Sequence, residues 1–84
     1  MPPLRTVPHN GAAIRTIREI RGLSVAELAR RLEMTPGALS NIERETKRLS
    51  VILANKIAVE LAVNVASFVW DREVAAWPVP GTRV

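Results

Sequence analysis

The side chains that most often perform catalysis are scarce in this chain. His9 is its one histidine, Asp71 its one aspartate, and there is no cysteine. No nucleophile stands beside an evident base, and no glycine-rich loop has the P-loop pattern. An enzyme is therefore not expected, nor is a metal or cofactor; without cysteine there is no thiolate ligand. The glutamates fall at helix caps or on charged helix faces, where salt pairing is the simpler account. What remains is a supply of cations and hydrogen-bonding groups. Twelve Lys/Arg face eight Asp/Glu, a net charge of +4. The excess is uneven: residues 1–56 carry ten Lys/Arg against five Glu, while residues 57–84 carry two Arg against Glu60, Asp71 and Glu73. A basic segment of this kind points to nucleic acid or to anionic lipid.

The elements that must position these groups come from one small domain of 84 residues. Its core is marginal at this size and has no disulfide to reinforce it. The lack of cysteine fits a reducing compartment. No apolar run approaches the ~18–20 residues of a membrane span. Met1-Pro2-Pro3-Leu4-Arg5 has no apolar stretch behind its charge, so a signal peptide is not expected and the cytoplasm is.

Residues 1–9 hold Pro2, Pro3 and Pro8 without periodicity and read as an extended, mobile arm. Asn10 caps a first helix over roughly 11–21, where Ile14, Ile17 and Ile20 recur and Gly22 suits a left-handed end. Ser24 and Glu27 form a capping box for a second helix that buries Leu28, Ala29 and Leu32. Thr35-Pro36 opens a third, with Ala38, Leu39 and Ile42 inward. Only Glu33 and Met34 lie between these two. Ser50 caps a fourth helix over roughly 51–62, carrying Leu53, Ala54, Ile57, Ala58 and Leu61. Asn64 caps a fifth from Val65 through Phe68 and Val69, whose end near Trp70 or Trp77 the pattern leaves open. No strand signal or repeat is evident. The fold class is all-α, a compact bundle of about five short helices. The divisions are an arm (1–9), a domain (10–70) and a C-terminal extension (71–84).

The runs Arg21-Gly22-Leu23-Ser24, Glu27 to Leu32, Met34-Thr35 and Leu39 to Glu43, followed by Lys56-Ile57-Ala58 and Leu61-Ala62-Val63, resemble the Cro/C1-type helix-turn-helix family, also called the xenobiotic-response-element family. The likeness spans Ile14 to Val69 and implies a lambda-repressor-like DNA-binding domain. Each position has a physical reason. Ala29 is small where the two crossing helices touch. Leu28, Leu32, Met34, Leu39 and Ile42 plug the wedge, which permits a crossing near ~90–120° with a short turn. Two residues depart from the family pattern. Glu33 replaces the usual glycine at a turn position that favours positive φ. Val25 replaces a glutamine that typically holds a DNA phosphate, so that duty would pass to nearby arginines.

The resemblance implies that the helix over 35–44 enters the major groove by its N-terminal end. Thr35 then sits against a phosphate, besides capping the helix. Pro36 and Gly37 stand where relatives place base-reading glutamines; they either touch bases or only start the helix. Specificity moves to Ser40, Asn41 and Arg44, Asn41 being suited to adenine and Arg44 to guanine or a phosphate. Thr46, Lys47 and Arg48 lie in the following loop and would hold the sugar–phosphate backbone. Arg5 could reach a minor groove. Arg18 and Glu43 match positions that pair as a salt bridge in related repressors.

One reading helix covers few base pairs, so the resemblance also implies a homodimer on a palindromic double-stranded operator. Trp70, Val74 and Trp77 extend past the family match and are candidates for the dimer interface, or else fold back onto the core. The function implied is a bacterial or phage transcriptional regulator, of the repressor or Cro-like kind, with no membrane or small-molecule partner expected. An antitoxin or a restriction controller has the same features. So has a dimerising adaptor that has lost DNA binding, which the apolar start of the third helix would suit and the basic charge would not.

Overall fold

The computed structural model describes residues 6–70. The order is β1 (Thr6–Val7), α1 (Gly11–Ile20), α2 (Val25–Arg31), α3 (Pro36–Glu43), β2 (Leu49–Ser50), α4 (Val51–Leu61) and a 3₁₀ turn (Val65–Ser67). No helix among the described residues is long and apolar enough to cross a membrane.

Local chemistry places the helix starts. Asn10, Ser24, Thr35 and Ser50 have extended backbones, and their side-chain oxygens accept from the N–H groups of Ala13, Glu27, Ala38 and Leu53. Each such cap stabilises by about 1 kcal/mol. The Ser24 box is half formed. Glu27 N–H donates to Ser24 Oγ at 3.0 Å, but its carboxylate turns toward Arg31 and Arg30, at 3.8 and 3.9 Å. Between α2 and α3 the chain reverses through Glu33 at φ 58°. That conformation costs a non-glycine residue on the order of 1 kcal/mol. The return is closed by Met34 N–H donating to Ala29 O at 2.9 Å.

The core is one cluster. Ile14, Leu28, Ala29, Leu39, Ile42, Ile57, Leu61 and Phe68 are fully buried within it. α3 packs against both α1 and α2. Arg21 fastens the far side, its Nε donating to Leu61 O at 2.8 Å where α4 ends at left-handed Ala62. An arginine side chain here satisfies a carbonyl that the helix leaves open.

Three expectations are corrected. The fifth helix is a single 3₁₀ turn, because Phe68 O accepts from Asn10 N–H at 2.7 Å and Val69 bridges antiparallel to His9. Those tertiary bonds replace the helical ones. The arm is not free over residues 6–9. β1 pairs antiparallel with β2 in the register Thr6↔Ser50 and Val7↔Leu49, Val7 enters the core, and His9 is buried. Third, the isoleucines of α1 do not share a face. A spacing of three falls ~60° short of a full turn each time, so Ile14 is buried, Ile17 half-buried and Ile20 74% exposed. Arg18, four residues after Ile14, takes the inward position.

Candidate nucleic-acid interface

A buried polar frame fixes α3 to α1. Arg18 Nε donates to Glu43 Oε2 at 2.8 Å and Nη2 to Glu43 Oε1 at 3.1 Å, a two-point pair. The side chains are 9% and 6% exposed. Arg18 Nη1 also donates to Leu23 O at 2.8 Å, tying in the turn before α2. Hydrogen bonding to Glu43 raises the Arg18 pKa above its already high ordinary value, outweighing the opposing effect of burial. At the other end, His9 Nε2 donates to Ile42 O at 2.8 Å. Gly11 N–H donates to Glu45 Oε2 at 3.0 Å, so Glu45, itself left-handed at φ 63°, holds the start of α1. The end of α3 is thus bound on several sides.

What this frame leaves outward is the stripe Gly37, Ser40, Asn41 and Arg44, at helical spacing and opposite buried Leu39 and Ile42. Thr35, Pro36 and Gly37 are exposed at its leading end. The Thr35 hydroxyl accepts from Ala38 N–H at 3.1 Å, which leaves its own proton to donate outward. A side chain at Gly37 would meet nothing within 4 Å, so packing does not require glycine there. Past α3 the chain folds back on the helix end: Thr46 N–H and Lys47 N–H both donate to Asn41 O, at 2.9 and 3.2 Å. The exposed loop Thr46-Lys47-Arg48 is therefore continuous with the α3 stripe. Asn41 itself is engaged, its Oδ1 accepting from Arg44 Nη2 at 2.8 Å.

Val25 has a companion feature that the sequence did not disclose. It borders a hollow of about 240 Å³ with Arg15, Ser40 and Arg44. Arg18 and Glu43, already paired with each other, line it too, so Arg15, Arg44 and the Ser40 hydroxyl are the groups left to serve where the family glutamine is missing. Arg15 and Glu45 were not legible as site residues; Arg15 reads as one of several charges on a helix face. Trp70 is 68% exposed and flanks an open groove of about 650 Å³ bordered by Thr46, Lys47, Arg48 and Thr6 to His9. Arg5, Val74 and Trp77 lie outside the described residues.

A family model for helix-turn-helix proteins matches residues 14–68. Among solved structures, the clp gene regulator ClgR from Corynebacterium glutamicum is 38% identical with a TM-score of 0.64, over 67% of this chain and 73% of that one. A second ClgR crystal structure gives 0.65 and is covered over 60% of its chain. SinR, the master regulator for biofilm formation, in complex with DNA, is 31% identical with a TM-score of 0.63, over 68% of this chain and 95% of that one. No curated protein matches the sequence. The chain belongs to the helix-turn-helix family of DNA-binding transcriptional regulators, in its Cro/C1-type branch.

Proposed function

We propose that this chain is a sequence-specific regulator of the repressor or Cro-like kind, acting in the cytoplasm as a homodimer on a palindromic operator. α3 lies in the major groove, with Ser40, Asn41, Arg44 and the leading Pro36-Gly37 facing bases. Thr35, Thr46, Lys47 and Arg48 hold phosphates, and Arg15 with Arg44 supplies the clamp that Val25 cannot. The observation that carries this reading is the return of the 46–48 loop onto Asn41. It makes a basic backbone-binding strip and a hydrogen-bonding stripe into one surface, which DNA recognition needs and a protein adaptor does not.

Selection of bound sequences from a random duplex pool tests it, with recovery of a two-fold site as the expected result. Failure to shift any duplex at low salt would sink it in favour of the adaptor. Lys47→Ala with Arg48→Ala should weaken binding to all sequences alike and flatten the slope of log K against log[salt] by about 0.9 per lost phosphate contact. An unchanged slope would remove the loop from the interface.

The dimer reading rests on Trp70, a large apolar side chain left exposed beside the basic loop. Tryptophan is enriched at protein interfaces relative to the rest of the surface. Trp70→Ser should shift sedimentation from dimer to monomer with little change in melting. A dimer that survives the substitution while melting falls would assign Trp70 to the fold instead.

A further inference from the structure

Asn41 is half-buried on the outward stripe of α3, and its carboxamide oxygen is engaged by two neighbours. Arg44 Nη2 lies 2.8 Å from its Oδ1. A guanidinium can only donate, so the amide atom facing it has to be the oxygen. Thr46 Oγ1 covers the same oxygen at 3.3 Å and shares its hydrogen with Asn41 O at 3.2 Å. Thr46 is in turn held by its own N–H on Asn41 O, at 2.9 Å. Two neighbours therefore close over Oδ1, one with a charge-assisted bond that is stronger than a neutral one.

The chemistry left outward follows. Nδ2 offers two N–H donors, the rest of the Arg44 guanidinium offers more, and the acceptor is taken. Two-point pairing of asparagine with adenine needs both an amide donor for N7 and a free Oδ1 for the N6 amino group. Here the adenine amino group would meet donors and be left without an acceptor, which is penalised on burial. Guanine presents N7 and O6, both acceptors, along the same edge. We infer that Arg44, seated on Asn41 Oδ1, makes Asn41 a donor-only reader, so that α3 selects guanine over adenine at the base pair facing Asn41. The inference rests on the proposed placement of α3 in the major groove. In it Arg44 is a positioning residue: it sets which base Asn41 accepts without having to touch that base.

Sequence selection from a random duplex pool reads this directly, because relative base preference is insensitive to a uniform loss of affinity. Asn41→Ala identifies the base pair concerned, as the one position whose preference collapses. The wild-type protein should prefer guanine to adenine there by roughly tenfold, the scale of one good two-point contact. Arg44→Met with Thr46→Val uncovers Oδ1 and leaves Asn41 in place. Both substituted residues are exposed, so the fold should persist. This variant should reverse the preference to adenine at that position by a similar factor, and Arg44→Met alone should move it part of the way. Adenine preferred by the wild type at that base pair would overturn the inference. So would a guanine preference unchanged by the double substitution. A preference that vanishes without moving to adenine would show Arg44 reading the base itself, and would overturn it as well. These three outcomes leave the proposed function standing. If Asn41→Ala alters no base preference, the inference falls together with Asn41 as a reader. Absence of duplex binding by the wild type would remove the proposed function itself.

Discussion

Gly11→Ala should lower the melting temperature by roughly 12–24 °C, from a loss of about 3 kcal/mol at 4–8 °C per kcal/mol in a domain of this size. Gly11 opens α1 against the end of α3. A Cβ built there would collide with Glu43 O and lie 2.6 Å from Glu43 C and 2.8 Å from Ile42 O. All three are backbone atoms, so no side chain can swing aside, and relief requires α1 and α3 to separate. Separation also pulls on the Gly11–Glu45 and His9–Ile42 bonds. Helix propensity alone predicts the opposite sign, a gain of about 0.5–1 kcal/mol for alanine over glycine. The two accounts thus disagree about direction, and a thermal melt decides between them. Gly37→Ala is the control. Its Cβ would meet nothing within 4 Å, so there the propensity gain should be realised. A Gly11→Ala protein that melts as high as the parent would mean that the close approach of the two helices does not hold in solution.

The contrast between these glycines explains what the sequence discloses. Helix starts were legible because capping is local: Asn10, Ser24, Thr35 and Ser50 act within three residues. The turn at Glu33 was legible because the family match assigns positive φ to that position, which is φ 58° here. The close approach at Gly11, the Glu45 hold on α1 and the Arg21 hold on α4 join residues 31 to 40 apart in sequence, so no local pattern encodes them. The burial of His9 is hidden from the sequence for a related reason. The outside–inside alternation of Thr6, Val7, Pro8 and His9 spans only four residues, too short a run to separate a strand from a proline-rich arm. The Asn41–Arg44 contact has the i, i+3 spacing of helix neighbours, so its proximity was available from sequence. That it occupies the acceptor of Asn41 was not, because the direction of a carboxamide depends on what closes over it.

Arg18→Met should cost about 3–5 kcal/mol, the range found when one partner of a buried ion pair is removed. Folded domains have only about 5–15 kcal/mol in total. The loss comes from Glu43, left charged at 6% exposure without its guanidinium. Replacing both partners, Arg18→Met with Glu43→Leu, should recover most of it, since apolar packing of similar volume is often as stable as a buried pair. Some deficit should remain because Leu23 O loses its bond to Arg18 Nη1. The exposed pair Arg15–Glu19, at 3.7 Å with side chains 65% and 57% exposed, is the comparison. Breaking it should cost under about 0.5 kcal/mol, and less in high salt. Denaturant midpoints for the four proteins of the Arg18–Glu43 cycle give the coupling. A single-variant loss below about 1 kcal/mol would show the pair to be hydrated rather than buried. Duplex binding by the double variant then separates two roles. If the pair only holds the fold, affinity should return along with stability. If its rigid two-point geometry also sets the pose of α3 against the DNA, the double variant should melt near the parent and still bind more weakly, because methionine and leucine pack without fixing an angle.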